Sequence, residues 1–183
     1  IEYLAEELHP ADFAMIKKLI LINDNKNFLN MLQNKKEFRQ PCNFSPSAIE
    51  AELKVPSEVP EYLNIFIRAY QQEEPIYPRL SWEDQLNALY FTFMEEQNNR
   101  FIREWFNFER NLRNVLAALN CRKYNLPLSQ YLIGSDFVTE QLIKSTSADF
   151  GLSRELPWIE QVIISFDRNV LIELEREVDL LRW

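Results

Sequence analysis

The chain has 183 residues, 46% of them hydrophobic and 26% charged, a globular composition with room for one sizeable core or two small helical ones. Its formal net charge of −8 argues against a sequence-independent nucleic-acid binder, which needs excess Lys and Arg to displace counterions, and against adsorption of the whole surface to anionic lipid. Only two glycines, Gly134 and Gly151, are too few for a sheet protein with many tight turns, so the composition implies an all-α fold.

In chain order, Phe13, Ile16, Leu19 and Ile20 form the i, i+3, i+4 stripe of a helix over 12–22. Asn23 or Asp24 then suits the cap of a second helix to about Gln33, and the polar stretch 35–44 reads as a loop. Ser45-Pro46 is a helix start leading through Ile49 and Leu53. Pro56 and Pro60 bracket a turn before a helix over 61–72, which ends at Glu74-Pro75 and Pro78.

From Ser81 to Leu126 there is no glycine or proline. Ser81 offers an N-cap with Asp84 three residues on, and the pattern predicts one long helix over 81–124, a rod of roughly 60 Å. After Pro127 come short helices over 128–133 and 136–144, with Gly134 and Gly151 in C′ positions. From Pro157 helical spacing continues to the end, giving about eight helices in all, with domains at 1–78 and 79–183. The chain opens on Ile1 rather than Met and stops at Trp183 inside a helical pattern, so we expect truncation at both ends. No apolar run approaches the ~20 residues of a membrane span, and Cys42 and Cys121 read as reduced thiols.

Catalytic signatures are sparse. Glu6-x-x-His9 is half of a di-iron Glu-x-x-His pair, but His9 is the only histidine, so we expect no metal site and no Ser-His-Asp chemistry. Two glycines cannot build a phosphate cradle. The adjacent pairs Glu73-Glu74 and Glu95-Glu96 diverge by about 100° on a helix, and Glu173, Glu175 and Glu177 read as a solvated face. We therefore expect no enzyme and no cofactor.

The predicted long helix has two faces. Leu89, Tyr90, Phe93, Phe101, Phe108, Leu112, Val115 and Leu119 gather on one side; Arg100, Arg103, Arg110 and Arg113 gather on another. Glu96–Arg100 and Glu109–Arg113 have the i, i+4 spacing of a salt-laced solvent face. The same arginines on an acidic chain make a candidate contact for an acidic partner.

The stretch Glu109 to Tyr124, followed by Leu126 and Tyr131 to Gly134, resembles a recurrent segment of the C-type central-stalk subunit of V-type ATPases (the d-type subunit in vacuolar enzymes). That segment is a helix reading roughly N-L-x-x-x-L-x-A-K before a short turn. Asn111-Leu112, Leu116, Arg122-Lys123 and Ile133-Gly134 occupy its places. Trp82 to Leu86, Glu104 to Phe108, Asp149 to Ser153 and Val178 to Trp183 are similar to an uncharacterised bacterial family encoded among V-type ATPase genes.

The resemblance implies a long-helix bundle of two related subdomains within a three-domain funnel like that of the C-type subunit. It further implies a non-catalytic central-stalk component coupling the axle subunits to the membrane rotor ring in ion (proton) transport, cytoplasmic and peripheral to the inner membrane through those partners. Asn111, Asn114, Arg122, Lys123 and Gly134 are then expected to fix helix ends and the turn between helices. Residues 27–32 align with 111–116 as an echo of internal repetition. The alternative is a helical adaptor, unrelated to ATPases, that binds a protein or peptide.

Overall fold

A computed structural model describes residues 4–183; Ile1, on which the expectation of N-terminal truncation rests, lies outside them. The described residues form α1 (Leu4–Glu7), α2 (Pro10–Leu32), α3 (Pro46–Lys54), α4 (Glu61–Gln71), α5 (Trp82–Glu95), α6 (Arg100–Tyr124), a 3-10 turn (Leu128–Gln130), α7 (Phe137–Lys144), α8 (Ile159–Asp167) and α9 (Leu171–Arg182), with no strand among them. The fold is all-α. No helix among the described residues is long and apolar enough to cross a membrane.

Packing divides the chain into two units. The first takes the residues up to Pro78 and adds Gln85–Glu96; the second takes Arg79–Asp84 and Gln97–Trp183.

In the first unit Phe28, Ile49, Leu63, Phe66, Ile67, Leu86 and Met94 are fully enclosed, each such side chain contributing ~1.5–3 kcal/mol of burial. Two buried tyrosines carry their hydroxyls to partners. Tyr62 Oη donates to Asn25 Oδ1 at 2.7 Å, and Tyr90 Oη donates to the carbonyls of Lys18 and Leu19 at 3.1 and 3.2 Å. Burial raises the pKa of both phenols.

The expected helix break at Asn23–Asp24 is absent, and α2 runs straight through it. These side chains do not cap α2; they reach across to the chain between α2 and α3, where Asp24 Oδ1 accepts from the N–H of Asn43 and of Phe44. The real start is at His9, whose Nδ1 accepts from Ala11 N.

In the second unit α6 is the central element. Leu112, Val115, Ala118 and Leu119 pack with Leu142 of α7, Ile159 and Val162 of α8, Val178 of α9, and Phe150, Leu152 and Leu156 of the intervening turns. The terminal helical pattern is two helices, separated at 168–170 with Asn169 at φ 58°.

The single 81–124 helix is likewise two helices. Ser81 does cap α5, its Oγ accepting from Asp84 N and donating to Asp84 Oδ2. Then 96–99 leaves the helix, and Asn99 opens α6 with its Oδ1 accepting from Ile102 N. Arg103 fixes the break by donating to the carbonyls of Gln97 and Asn98. The Asn98-Asn99 pair has weak helix propensity, and an Asn side chain that caps relieves the orphan N–H groups of a new start. A 25-residue α6 measures about 37 Å, so the roughly 60 Å rod does not exist.

Candidate functional site

The four arginines expected at a partner contact have different situations. Arg100 is fully exposed and pairs with Glu104 at 2.7 Å, which raises its pKa. The predicted Glu96–Arg100 pair fails because Glu96 falls in the break. Arg103 caps that break. Arg110 is buried, and its guanidinium meets Asp136 at 2.6 Å. Arg113 pairs with Asp84 instead of Glu109, and Glu109 takes a two-pronged contact from Arg182 at 2.7 and 2.9 Å. Arg110 and Arg113 are thus engaged inside the second unit, leaving Arg100 and Arg103 at its surface.

Burial pushes the Asp136 carboxyl up, but the Thr139 N–H and the Arg110 charge outweigh it and hold the pKa below the ordinary value. Asp136 is also the N-cap of α7, accepting from Thr139 N at 2.9 Å. Gly134, at φ +97°, lies against this pair, and a Cβ there would collide with Arg110 Nη1. Its role is close approach at a left-handed backbone position, not termination of a preceding α-helix.

Asn114, Arg122 and Lys123, expected to fix helix ends and the turn between helices, clamp later segments onto α6. Asn114 is fully buried; its Nδ2 donates to the Ile133 carbonyl at 2.7 Å and its Oδ1 accepts from Ile133 N at 3.0 Å. Asn111 Nδ2 donates to Asn107 Oδ1 along the helix. Arg122 donates to the carbonyls of Ser145 and Ser147, both at 2.7 Å, with its guanidinium 3.5 Å from the Phe150 ring centroid. Lys123 donates to Asn169 Oδ1 in the α8–α9 turn. α6 therefore fastens three later segments: 132–134, 145–148 and 169.

The first unit uses the same device with more rungs. Asn27 Nδ2 donates to the Arg39 carbonyl at 3.0 Å while its Oδ1 accepts from Arg39 N at 2.7 Å. Asn30 Nδ2 donates to the Glu37 carbonyl, and Asn23 Nδ2 to that of Pro41. Asp24 takes the N–H groups of Asn43 and Phe44 and the Asn43 amide; burial raises its pKa against these bonds. By this clamp the counterpart of Asn27 is Asn114, three residues out of the 27–32 to 111–116 register. Sequence reasoning misses this polar face as a site, although its 23, 27, 30 spacing marks one helix side within an apolar helix.

An open cleft of about 460 Å³ in the second unit is lined by apolar Leu119, Ile163 and Phe166 together with Arg122 and Lys123. It brings in one carboxylate, Asp167, so no acid–base pair converges there. Among the described residues no three His, Cys, Asp or Glu side chains are grouped to hold a metal ion. Outward-facing apolar residues concentrate on α9, where Leu171, Ile172 and Leu180 are exposed.

No curated protein and no solved structure matches the chain. One family model matches residues 2–183, essentially the whole length, and the chain belongs to that family, described as Protein of unknown function (DUF2764).

Proposed function

We propose that this chain is a non-catalytic helical component of the central stalk of a V-type ATPase, standing between axle subunits and the membrane rotor ring and peripheral to the membrane through them. The observation that carries the reading is the use made of the segment resembling the C-type stalk subunit. Asn114, Arg122 and Lys123 bond later segments to α6 and Gly134 leaves room for Arg110 beside them, an architectural task suited to a part that transmits force. A carboxamide that satisfies both N–H and C=O of one buried residue resists local opening, because breaking it leaves several polar groups unpaired.

The second reading, a helical adaptor unrelated to ATPases, is favoured by the exposed α9 residues Leu171, Ile172 and Leu180. Co-purification separates the two. The endogenously tagged protein, drawn from mildly solubilised membranes, should bring down axle and rotor-ring subunits in fixed ratio. Recovery of other partners with neither of these would overturn the stalk assignment in favour of the adaptor.

A further inference from the structure

The chain between α2 and α3 is held in an unusual way for a loop. The backbone groups that meet side chains of α2 belong to alternate residues: the Glu37 carbonyl accepts from Asn30, Arg39 uses both its N–H and C=O on Asn27, and the Pro41 carbonyl accepts from Asn23. Alternation of period two is the signature of an extended chain, whose neighbouring residues turn their N–H and C=O to opposite edges. The helix presents its rungs at steps of about 4.5–6 Å, close to the ~6.6 Å two-residue rise of an extended chain.

The inner edge is therefore held by side chains of α2, at Glu37, Arg39 and Pro41. The outer edge is not: the backbone groups of Lys36, Phe38 and Gln40 make no hydrogen bond with the described residues. In the second unit the same clamp holds Ile133 beside Leu132, both buried, and its purpose is packing. In the first unit the clamped segment carries exposed Lys35, Lys36, Glu37, Arg39 and Gln40. Buried Asn27 and Asn30 thus pre-organise a surface feature.

We propose that the outer edge of residues 36–40 is a docking site for an acidic, extended segment of a partner protein, which adds to it as a β-strand. Main-chain pairing supplies affinity in such additions, and pre-ordering of the receiving edge removes an entropic cost. Charge selects the occupant. Lys35, Lys36 and Arg39 outnumber Glu37 on a chain of net charge −8, so a second copy of this edge is repelled and an acidic strand attracted. The inference is independent of any place in an ATPase.

The test is an NMR titration of the full chain with a short capped peptide alternating glutamate and valine. The amide signals of Lys36, Phe38 and Gln40 are expected to shift saturably, with Kd below about 1 mM. The same peptide methylated on alternate backbone nitrogens keeps its charge and should move none of them. Lys36→Glu/Arg39→Glu should weaken binding roughly tenfold. Equal binding of the methylated peptide reduces the site to charge attraction and overturns the proposal, as does the absence of shifts with either peptide.

Discussion

Gly134 and Gly151 both have positive φ, but only Gly134 has a close neighbour where a Cβ would go. Gly134→Ala has to displace the Arg110 guanidinium from its buried pair with Asp136, and should lower unfolding free energy by about 2–4 kcal/mol. Gly151→Ala makes only ordinary contact with Ser147 and should cost about 1 kcal/mol of backbone strain. Urea denaturation of the two variants checks this, and equal losses would remove the Arg110 contact from the explanation. Two carboxylates of the first unit shift in opposite directions. Glu52 is raised by burial but lowered more by the N–H groups of Ser57, Glu58 and Val59 and the Ser57 hydroxyl, so its net pKa is depressed. Its stabilisation is complete above the unfolded value near 4.5 and fades as pH falls through the folded value. Asp24 is raised, chiefly by burial, so the folded state holds its proton more tightly and its contribution declines as pH climbs from 3.8 through the raised value. Asp24→Asn should abolish that downward slope in stability measured against pH, whereas a wild-type-to-variant difference constant with pH would contradict it. None of this is legible in the sequence, because a shift depends on which backbone N–H groups fold back onto the carboxylate.

At the scale of elements, helix existence is readable and helix continuity is not. Asn23-Asp24 and Asn98-Asn99 offer the same signal, a short polar side chain able to accept from the next turn. In α2 the backbone of 41–44 takes those side chains and the helix continues; at Asn99 no such segment competes and the cap forms. Asn99→Ala should cost about 1 kcal/mol of stability, read from thermal or urea unfolding. A neutral result would shift responsibility for the break to the Arg103 contacts with Gln97 and Asn98. The Arg stripe follows the same logic: helical projection puts the four arginines together, and partners distant in sequence, Asp84 and Asp136, then claim two of them.

For the whole molecule, the proline-marked stretch around 73–80 reads in the sequence as a linker, and the following helix as part of what comes next. Periodicity reveals that α5 has an apolar face; it carries no information on which core that face enters. Leu86, Tyr90 and Met94 lie within the part of α5 that belongs to the first unit. A fragment ending at Pro78 should therefore lack fixed tertiary structure, seen as weak near-UV dichroism, whereas one ending at Glu96 should regain it. Native-like packing in the shorter fragment would show that α5 is dispensable to that core. The discontinuity also bears on biosynthesis. With translation at about 5–20 residues per second, roughly 1–3 s separate the emergence of Pro78 from that of Met94. During that interval Tyr62 is already outside the ribosome without the Tyr90 and Phe93 rings of α5 that pack against it, so the nascent first unit passes through a brief, fixed period in which part of its core is uncovered.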